Sequence, residues 1–324
     1  MKKILIMLVV LAIGTAAQAS MTANWSFESN LSDTATGGTT SDTLVGMRYY
    51  GGNGTYDRSV TSYNADGTTE TLTTAVTAAT YEKGIVGTAV RIGTTGSYNY
   101  ATGATYPNAS TYCVPSSTSG ATYLSSTGDS ADLSLGSEFT VEGFFKADDL
   151  GTLGVEDSGL GEFAYTRLIT KWVSGFSQGY HFTIHNGALE LIEKNSSSGA
   201  VTTAGSVSVV ADRWFYVSAV ADGENISIYF YTTDDNGDLV GGLVATGAYN
   251  GTILDSTSPL WIGGRADVPN PISSNNVFVG LVDEVRLWDE AVDDTYIASR
   301  AALLVPEPMT LVILGLGGLL IRKK

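Results

Sequence analysis

Three sets of residues in this 324-residue chain have types and spacings that chemistry can use. Gly175-Phe176-Ser177-Gln178-Gly179 matches G-x-S-x-G, the turn that presents a serine nucleophile between a strand and a helix, with an acid and then a histidine well downstream. The segment that follows, "YHFTIHNGALELIE", reads as another strand, and the two histidines of the chain, His181 and His185, lie inside it. No histidine remains beyond to serve as base, so the glycines mark a hairpin turn. His181 and His185 also repeat the H-x-x-x-H spacing that brings two imidazoles to one zinc on a helix. On a strand, at about 3.3 Å per residue, that spacing sets them about 13 Å apart, as two positions on one sheet face rather than a metal pair. Glycoside hydrolysis needs two carboxylates about 5–10 Å apart across the bond. Glu190 and Glu193 fall on opposite faces of a strand, as do Asp283 and Glu284. The expectation is a protein without catalytic activity.

The elements that carry these residues are mostly strands. From Leu133 onward, "FTVEGFFKA", "YHFTIHNGALELIEK", "RWFYVSAVADGENISIYFYTT", "SPLWIGG" and "VFVGLVDEVRLWDEA" are apolar or alternating runs separated by Gly, Asn and Asp turns. One segment, "DDTYIASRAALL", has helical periodicity, with Asp293 as N-cap and Ile297, Ala301 and Leu304 on one face. Many short strands and one late helix predict an all-β sandwich. Residues 37–130 are dominated by Thr, Ser, Gly and Tyr and read as strands with long decorated loops, with disorder as an alternative for residues 98–126. Tyr49, Tyr50, Tyr98, Tyr100 and Tyr106 of that region are candidates to meet a ligand, or cover exposed sheet. Core packing is the expected role for most of Trp25, Trp172, Trp214, Trp261 and Trp288, with sugar stacking as the alternative.

Composition narrows the partners. The chain carries 33 acidic against 17 basic residues, and five of the basic ones sit at its two ends. So acidic a surface repels phosphate backbones, which excludes nucleic acid and leaves divalent cations and neutral or basic ligands. Cys113 is the lone cysteine, so the fold depends on its core rather than on an internal disulfide. Residues 1–19 have a basic start, an apolar run and an A-x-A site, the pattern of a secretory signal peptide cleaved after Ala19. The other end reads Val305-Pro306-Glu307-Pro308, then an uncharged segment, residues 309–321, short for a membrane span, then Arg322, Lys323 and Lys324.

That C-terminal layout, residues 302–324, resembles the PEP-CTERM sorting signal of exported bacterial proteins. The resemblance implies a transient membrane tether that an exosortase-type membrane protease recognises and cuts near Val305–Pro308. Between the targeting segments, "NWSFESNLSD", "GIVGTAVRI", "FTVEGFFKAD", "RLITKW", "GYHFTIHNGALELI", "DRWFYVSAVADGENISIYFY", "SPLWIGG" and "FVGLVDEVRLWDEAVDDTYI" resemble the successive strands of the laminin G-like, concanavalin A-like jelly roll. It would span residues 20–301, with insertions at about 37–80 and 98–130. The family implies two antiparallel sheets face to face, used as a polysaccharide- or protein-binding module at the cell surface or in the extracellular matrix. A structural, glycosylated matrix protein and a polysaccharide-processing enzyme are the alternatives. Alternation in "FVGLVDEVRLW" puts Val279, Leu281, Asp283, Val285 and Leu287 on one core-facing side. A carboxylate there needs partners. The resemblance implies a structural calcium ion held by Glu28, Asp33 and Asp283; hydrogen bonds from a loop backbone to Asp283 are the other solution.

Overall fold

The computed structural model describes residues 21–305 except 36, 39–41, 52–58, 64–68, 78, 93–97, 102–111, 116–122, 149–164, 174–177, 196–198, 250 and 265–277. The expected signal peptide, residues 1–19, and the tail beyond Val305 lie outside the described residues, as do Ser177 and Tyr106. Among the described residues no helix is long and apolar enough to cross a membrane.

The strands are β1 (Met21–Trp25), β2 (Leu44–Gly51), β3 (Ser59–Tyr63), β4 (Thr69–Thr77), β5 (Thr80–Lys83), β6 (Thr88–Ile92), β7 (Tyr98–Ala101), β8 (Tyr112–Pro115) and β9 (Tyr123–Ser126). They continue as β10 (Glu138–Ala147), β11 (Tyr165–Val173), β12 (Gln178–His185), β13 (Ala188–Asn195), β14 (Gly199–Ser206), β15 (Trp214–Asp222), β16 (Asn225–Thr233), β17 (Leu239–Ala248), β18 (Trp261–Ile262) and β19 (Gly280–Trp288). One helix, α1 (Asp294–Ala301), follows. The first sheet runs β17-β16-β15-β10-β19-β6-β5, with β1 sharing a flank of β19, and the second runs β14-β13-β12-β11-β18-β9-β2-β4-β3. Each ladder is antiparallel, so the expected jelly-roll sandwich forms. Strands β2–β4 and β9 of the Thr- and Tyr-rich region extend the second sheet, and β7 and β8 pair separately.

Alternation explains the main core. In β16, Ile226, Ile228 and Phe230 point inward while Ser227, Tyr229 and Tyr231 do not. Phe215 and Val217 of β15, Phe139, Val141 and Phe145 of β10, and Tyr180, Phe182 and Ile184 of β12 meet them between the sheets. Where β14 meets β17 the sheets approach so closely that side chains give way to glycines. A Cβ on Gly205 would lie 2.5 Å from the Val244 carbonyl oxygen, and one on Gly247 2.4 Å from the Thr203 hydroxyl.

A second core lies on the outer face of the first sheet. Asp293 caps α1 by accepting a hydrogen bond from the Tyr296 backbone at 2.7 Å, and Ile297, Ala301 and Leu304 pack onto Phe144, Tyr216 and Trp288. The capping residue and the buried face are those expected from the sequence.

The expected phase of β19 is corrected. Between Glu142↔Arg286 and Phe144↔Asp283 one residue of β10 faces two of β19, and Glu284 adopts φ 51°. This β-bulge shifts the alternation by one position. Val282, Val285 and Leu287 therefore enter the main core, whereas Leu281 does not join them and Asp283 stands opposite Phe144 of the second core.

Candidate functional site

The strands of the second sheet that send Ile169, Tyr180, Phe182, Ile184, Leu189 and Leu191 into the core send a different set of residues to the other face. Ladder register aligns Ser125 of β9, Trp261 of β18, Thr170 of β11, His181 of β12 and Ile192 of β13 in one row across five strands. Beside it, Arg167, Thr183 and Glu190 form a second row. The Trp172 ring lies 4.3 Å from the His181 ring at 32°, and His185 Nδ1 is 3.1 Å from Glu190 Oε1. Trp172, Trp261 and Tyr123 are buried yet belong to neither hydrophobic core.

This face combines three aromatic rings with an imidazole, a guanidinium, a carboxylate and threonine hydroxyls. Such groups are of the kind that stack on the apolar face of a sugar ring and hydrogen-bond its hydroxyls, but here the three rings are at most 2% exposed. The two histidines share the face, as expected, but have separate partners, Trp172 and Thr170 for His181 and Glu190 for His185. Trp25 enters the main core and Trp288 the second, as expected for core tryptophans. Trp172, opposite Gly179, and Trp261, beside Ile262, take neither core, which leaves them to the alternative role considered for the tryptophans.

The remaining candidates separate. Ser177 lies in the connection between β11 and β12, which pair antiparallel from Val173↔Gln178, so its flanks are two strands rather than a strand and a helix. Glu190 stands opposite Thr183 on the outer face, whereas Glu193 stands opposite Tyr180 on the core face. There, burial pushes the Glu193 carboxyl up to about 7, against a hydrogen bond from Asn195, and its Oε2 has no hydrogen-bond partner. The side chains of Tyr49, Tyr50, Tyr98 and Tyr100 lie outside the described residues.

Asp283 Oδ2 accepts hydrogen bonds from the backbones of Ile85 and Val86 at 2.8 and 3.0 Å, while its Oδ1 is buried without a hydrogen-bond partner. Burial raises its carboxyl to about 7. Glu28 sits at the other end of the same turn. A Cβ on Gly87, which has φ 56°, would lie 2.1 Å from Glu28 Oε1. Asp33 is held elsewhere, accepting from Asn24 and Ala35 at 2.8 and 2.7 Å with Asp42 as its charged neighbour. Among the described residues no three Asp, Glu, His or Cys side chains converge on one point. Asp283 Oδ1, with Glu28 near, is the kind of oxygen a hard cation takes, and Asp33 Oδ2 is likewise buried without a hydrogen-bond partner.

Residues 118–298, more than half of the chain, match the family described as the concanavalin A-like lectin/glucanases superfamily. The chain belongs to that family. No curated protein matches its sequence. Among solved structures, domain 4 of the extracellular arabinanase AbnA from Geobacillus stearothermophilus, in complex with arabinotriose, is similar at 12% identity and TM-score 0.47, over 87% of this chain and 98% of that one. The CBM40 of the Ruminococcus gnavus IT-sialidase, bound to α2,3 sialyllactose, is similar at 14% identity and TM-score 0.35, over 51% and 82%. Domains LG4-5 of the mouse laminin α1 chain show 14% identity and TM-score 0.31, over 48% and 38%.

Proposed function

We propose that this chain is a non-catalytic glycan-binding or adhesion module, exported to the cell surface or extracellular matrix, whose ligand lies on the outer face of the second sheet. The observation that carries the reading is the placement of Trp172, Trp261 and Tyr123 outside both cores, on the same sheet face as Arg167, His181 and Glu190. A lectin- and glucanase-containing family supports a saccharide as ligand. The rings are buried in the free chain, so the ligand must uncover them.

A glycan array probed with the mature chain tests the reading, together with Trp261→Ala and Trp172→Ala. Binding that falls at least tenfold in both variants supports it; an array without signal favours the structural matrix protein. Glu190 and Glu193 on opposite faces argue against the processing enzyme, and release of reducing sugar from a polysaccharide by the wild-type chain would restore it.

Two further parts of the proposal concern delivery and calcium. The signal-peptide and PEP-CTERM layouts support export followed by cutting near Val305–Pro308 by an exosortase-type protease. Mass spectrometry of the mature protein then finds residues beyond about Pro308 lost; an intact Arg322-Lys323-Lys324 end in most molecules refutes it. The partnerless oxygens of Asp283 and Asp33 support one structural calcium at Asp283, with Glu28 and Asp33 as the expected further ligands. Calcium raises the melting temperature and Asp283→Asn abolishes the rise, because a ligand bound only to the native state stabilises it. Unchanged melting in EDTA, with no metal by elemental analysis, overturns it.

A further inference from the structure

The outer face of the first sheet is only partly covered by α1. Beyond the helix, Tyr229 and Tyr231 stand on one side of β16, half-buried and about 7 Å apart at the rise of a strand. Both rings are fixed in place. The Tyr229 hydroxyl donates to Asp294 Oδ1 at 2.6 Å, and Tyr231 packs beside Tyr216 with ring centroids 6.4 Å apart at 41°. On the neighbouring edge strand β17, Gly241 is opposite Tyr231 and Leu243 is opposite Tyr229. Gly241 adopts φ 122°, and a Cβ there would lie 2.1 Å from the Phe230 carbonyl oxygen, so backbone geometry keeps this position free of a side chain. No side chain therefore stands directly opposite Tyr231 on β17, where Leu239 packs against the second core on one side and Leu243, 55% exposed, forms a low apolar lip on the other.

The charge around the strip selects its occupant. Asp294 stands at one end and the exposed Asp235, paired to Arg213, on the turn beyond the other. Carboxylates accept hydrogen bonds from hydroxyl groups and repel acidic sugars. Rigid tyrosine rings offer amphipathic contact area at little entropic cost. We infer that Tyr229, Tyr231, Gly241 and Leu243 form a second docking surface, separate from the outer face of the second sheet, for an uncharged polysaccharide strand lying along β16. The saccharide class rests on the glycan-binding reading above; the position does not. Two surfaces on opposite sides of one sandwich let a single molecule bridge two polysaccharide chains, and binding to a polymer then exceeds binding to a short oligosaccharide.

The test uses the mature chain with insoluble cellulose, xylan and β-1,3-glucan, and with the neutral hexasaccharides of each in solution. Tyr229→Ala/Tyr231→Ala is expected to lose polymer retention at least tenfold, and Tyr231→Phe, which keeps the ring, to retain it. Leu243→Asp, at an exposed position that leaves both rings in place, is expected to weaken retention as well. Retention lost in Trp261→Ala but intact in the tyrosine double variant overturns this inference alone. Absence of retention by the wild-type chain on any neutral glycan overturns this inference, and a glycan array without signal overturns the glycan-binding reading as well. A concentration-dependent dimer in sedimentation that Leu243→Asp dissolves, with glycan retention unaffected, assigns the strip to a second copy of the chain instead, and binding only to a lysine-rich peptide assigns it to a cationic protein.

Discussion

Buried charge at two positions decides how individual residues behave. Glu142 is fully buried under α1, where Tyr216, Tyr296 and Trp288 donate to its carboxylate and Arg300 lies 3.9 Å away. Arg300 also reaches Glu284 at 3.1 Å, and Arg286 donates to Tyr296 at 3.1 Å. Removing one member of such a network strands the others, so Glu142→Leu is expected to cost about 3–5 kcal/mol in urea unfolding. Loss of less than about 1 kcal/mol would mean that the arginines find other partners. Glu193 gives the opposite sign. Its folded-state pKa, about 7, lies above the ordinary carboxylate value because burial disfavours the charge. The stability associated with the neutral form is complete below about pH 4.5 and is lost as pH rises through 7. Glu193→Gln should therefore match the wild type near pH 4, melt several degrees higher at pH 8 in metal-free buffer, and show a shallower pH slope; Asp283, raised by burial to the same level, keeps part of that slope. Equal melting of Glu193→Gln and wild type at pH 8 would contradict the assignment. Glu193 was legible as facing away from Glu190, but its missing partner depends on what packs across the sandwich, which a local pattern does not encode.

At the scale of elements, the helix was legible to the residue and β19 was not. Asp293, Ile297, Ala301 and Leu304 follow from local spacing, and each does what that spacing implies. Asp293→Ala removes the hydrogen bond to the Tyr296 backbone and should cost about 1 kcal/mol in chemical unfolding; Asp293→Asn, which can still accept it, should cost much less. Equal losses would mean that charge rather than capping carries the effect. In β19 the alternation "VGLVDEVRLW" is regular in sequence but interrupted in space, because Glu284 takes a left-handed conformation and shifts the register. A bulge on a non-glycine residue leaves no composition signal, since it is fixed by pairing with β10 and by the ion pairs of Glu284 with Arg286 and Arg300. The tryptophans fail to announce themselves for a related reason. Period-two patterning separates two faces of a strand without saying whether the second face is wet, covered or reserved for a ligand, so Trp172 and Trp261 read like core residues.

For the whole molecule, the sandwich class was legible because nearly every strand after Leu133 alternates and the turns between them carry Gly, Asn or Asp. The two proposed ligand surfaces depend on which strands become neighbours, and sequence order does not supply that: β18, late in the chain, lies between β9 and β11. Charge, by contrast, belongs to the whole chain and needs no topology. With a formal net charge of −16 the protein repels polyanions over roughly a Debye length, about 8 Å at physiological salt. If its ligands are uncharged glycans, binding depends on stacking and hydrogen bonds, and the affinity for a neutral polysaccharide should change less than twofold between about 0.05 and 0.5 M salt, which brackets physiological screening. An acidic polysaccharide of the same backbone, such as a uronic-acid polymer, should bind weakly at low salt and gain affinity as salt screens the repulsion. Tight binding of the acidic polymer that weakens with salt would require a local basic site strong enough to overcome the net charge. Arg167, opposite Thr183 on the same face as Trp172 and His181, is the place to look for it, and Arg167→Gln would then remove both the affinity and its salt dependence.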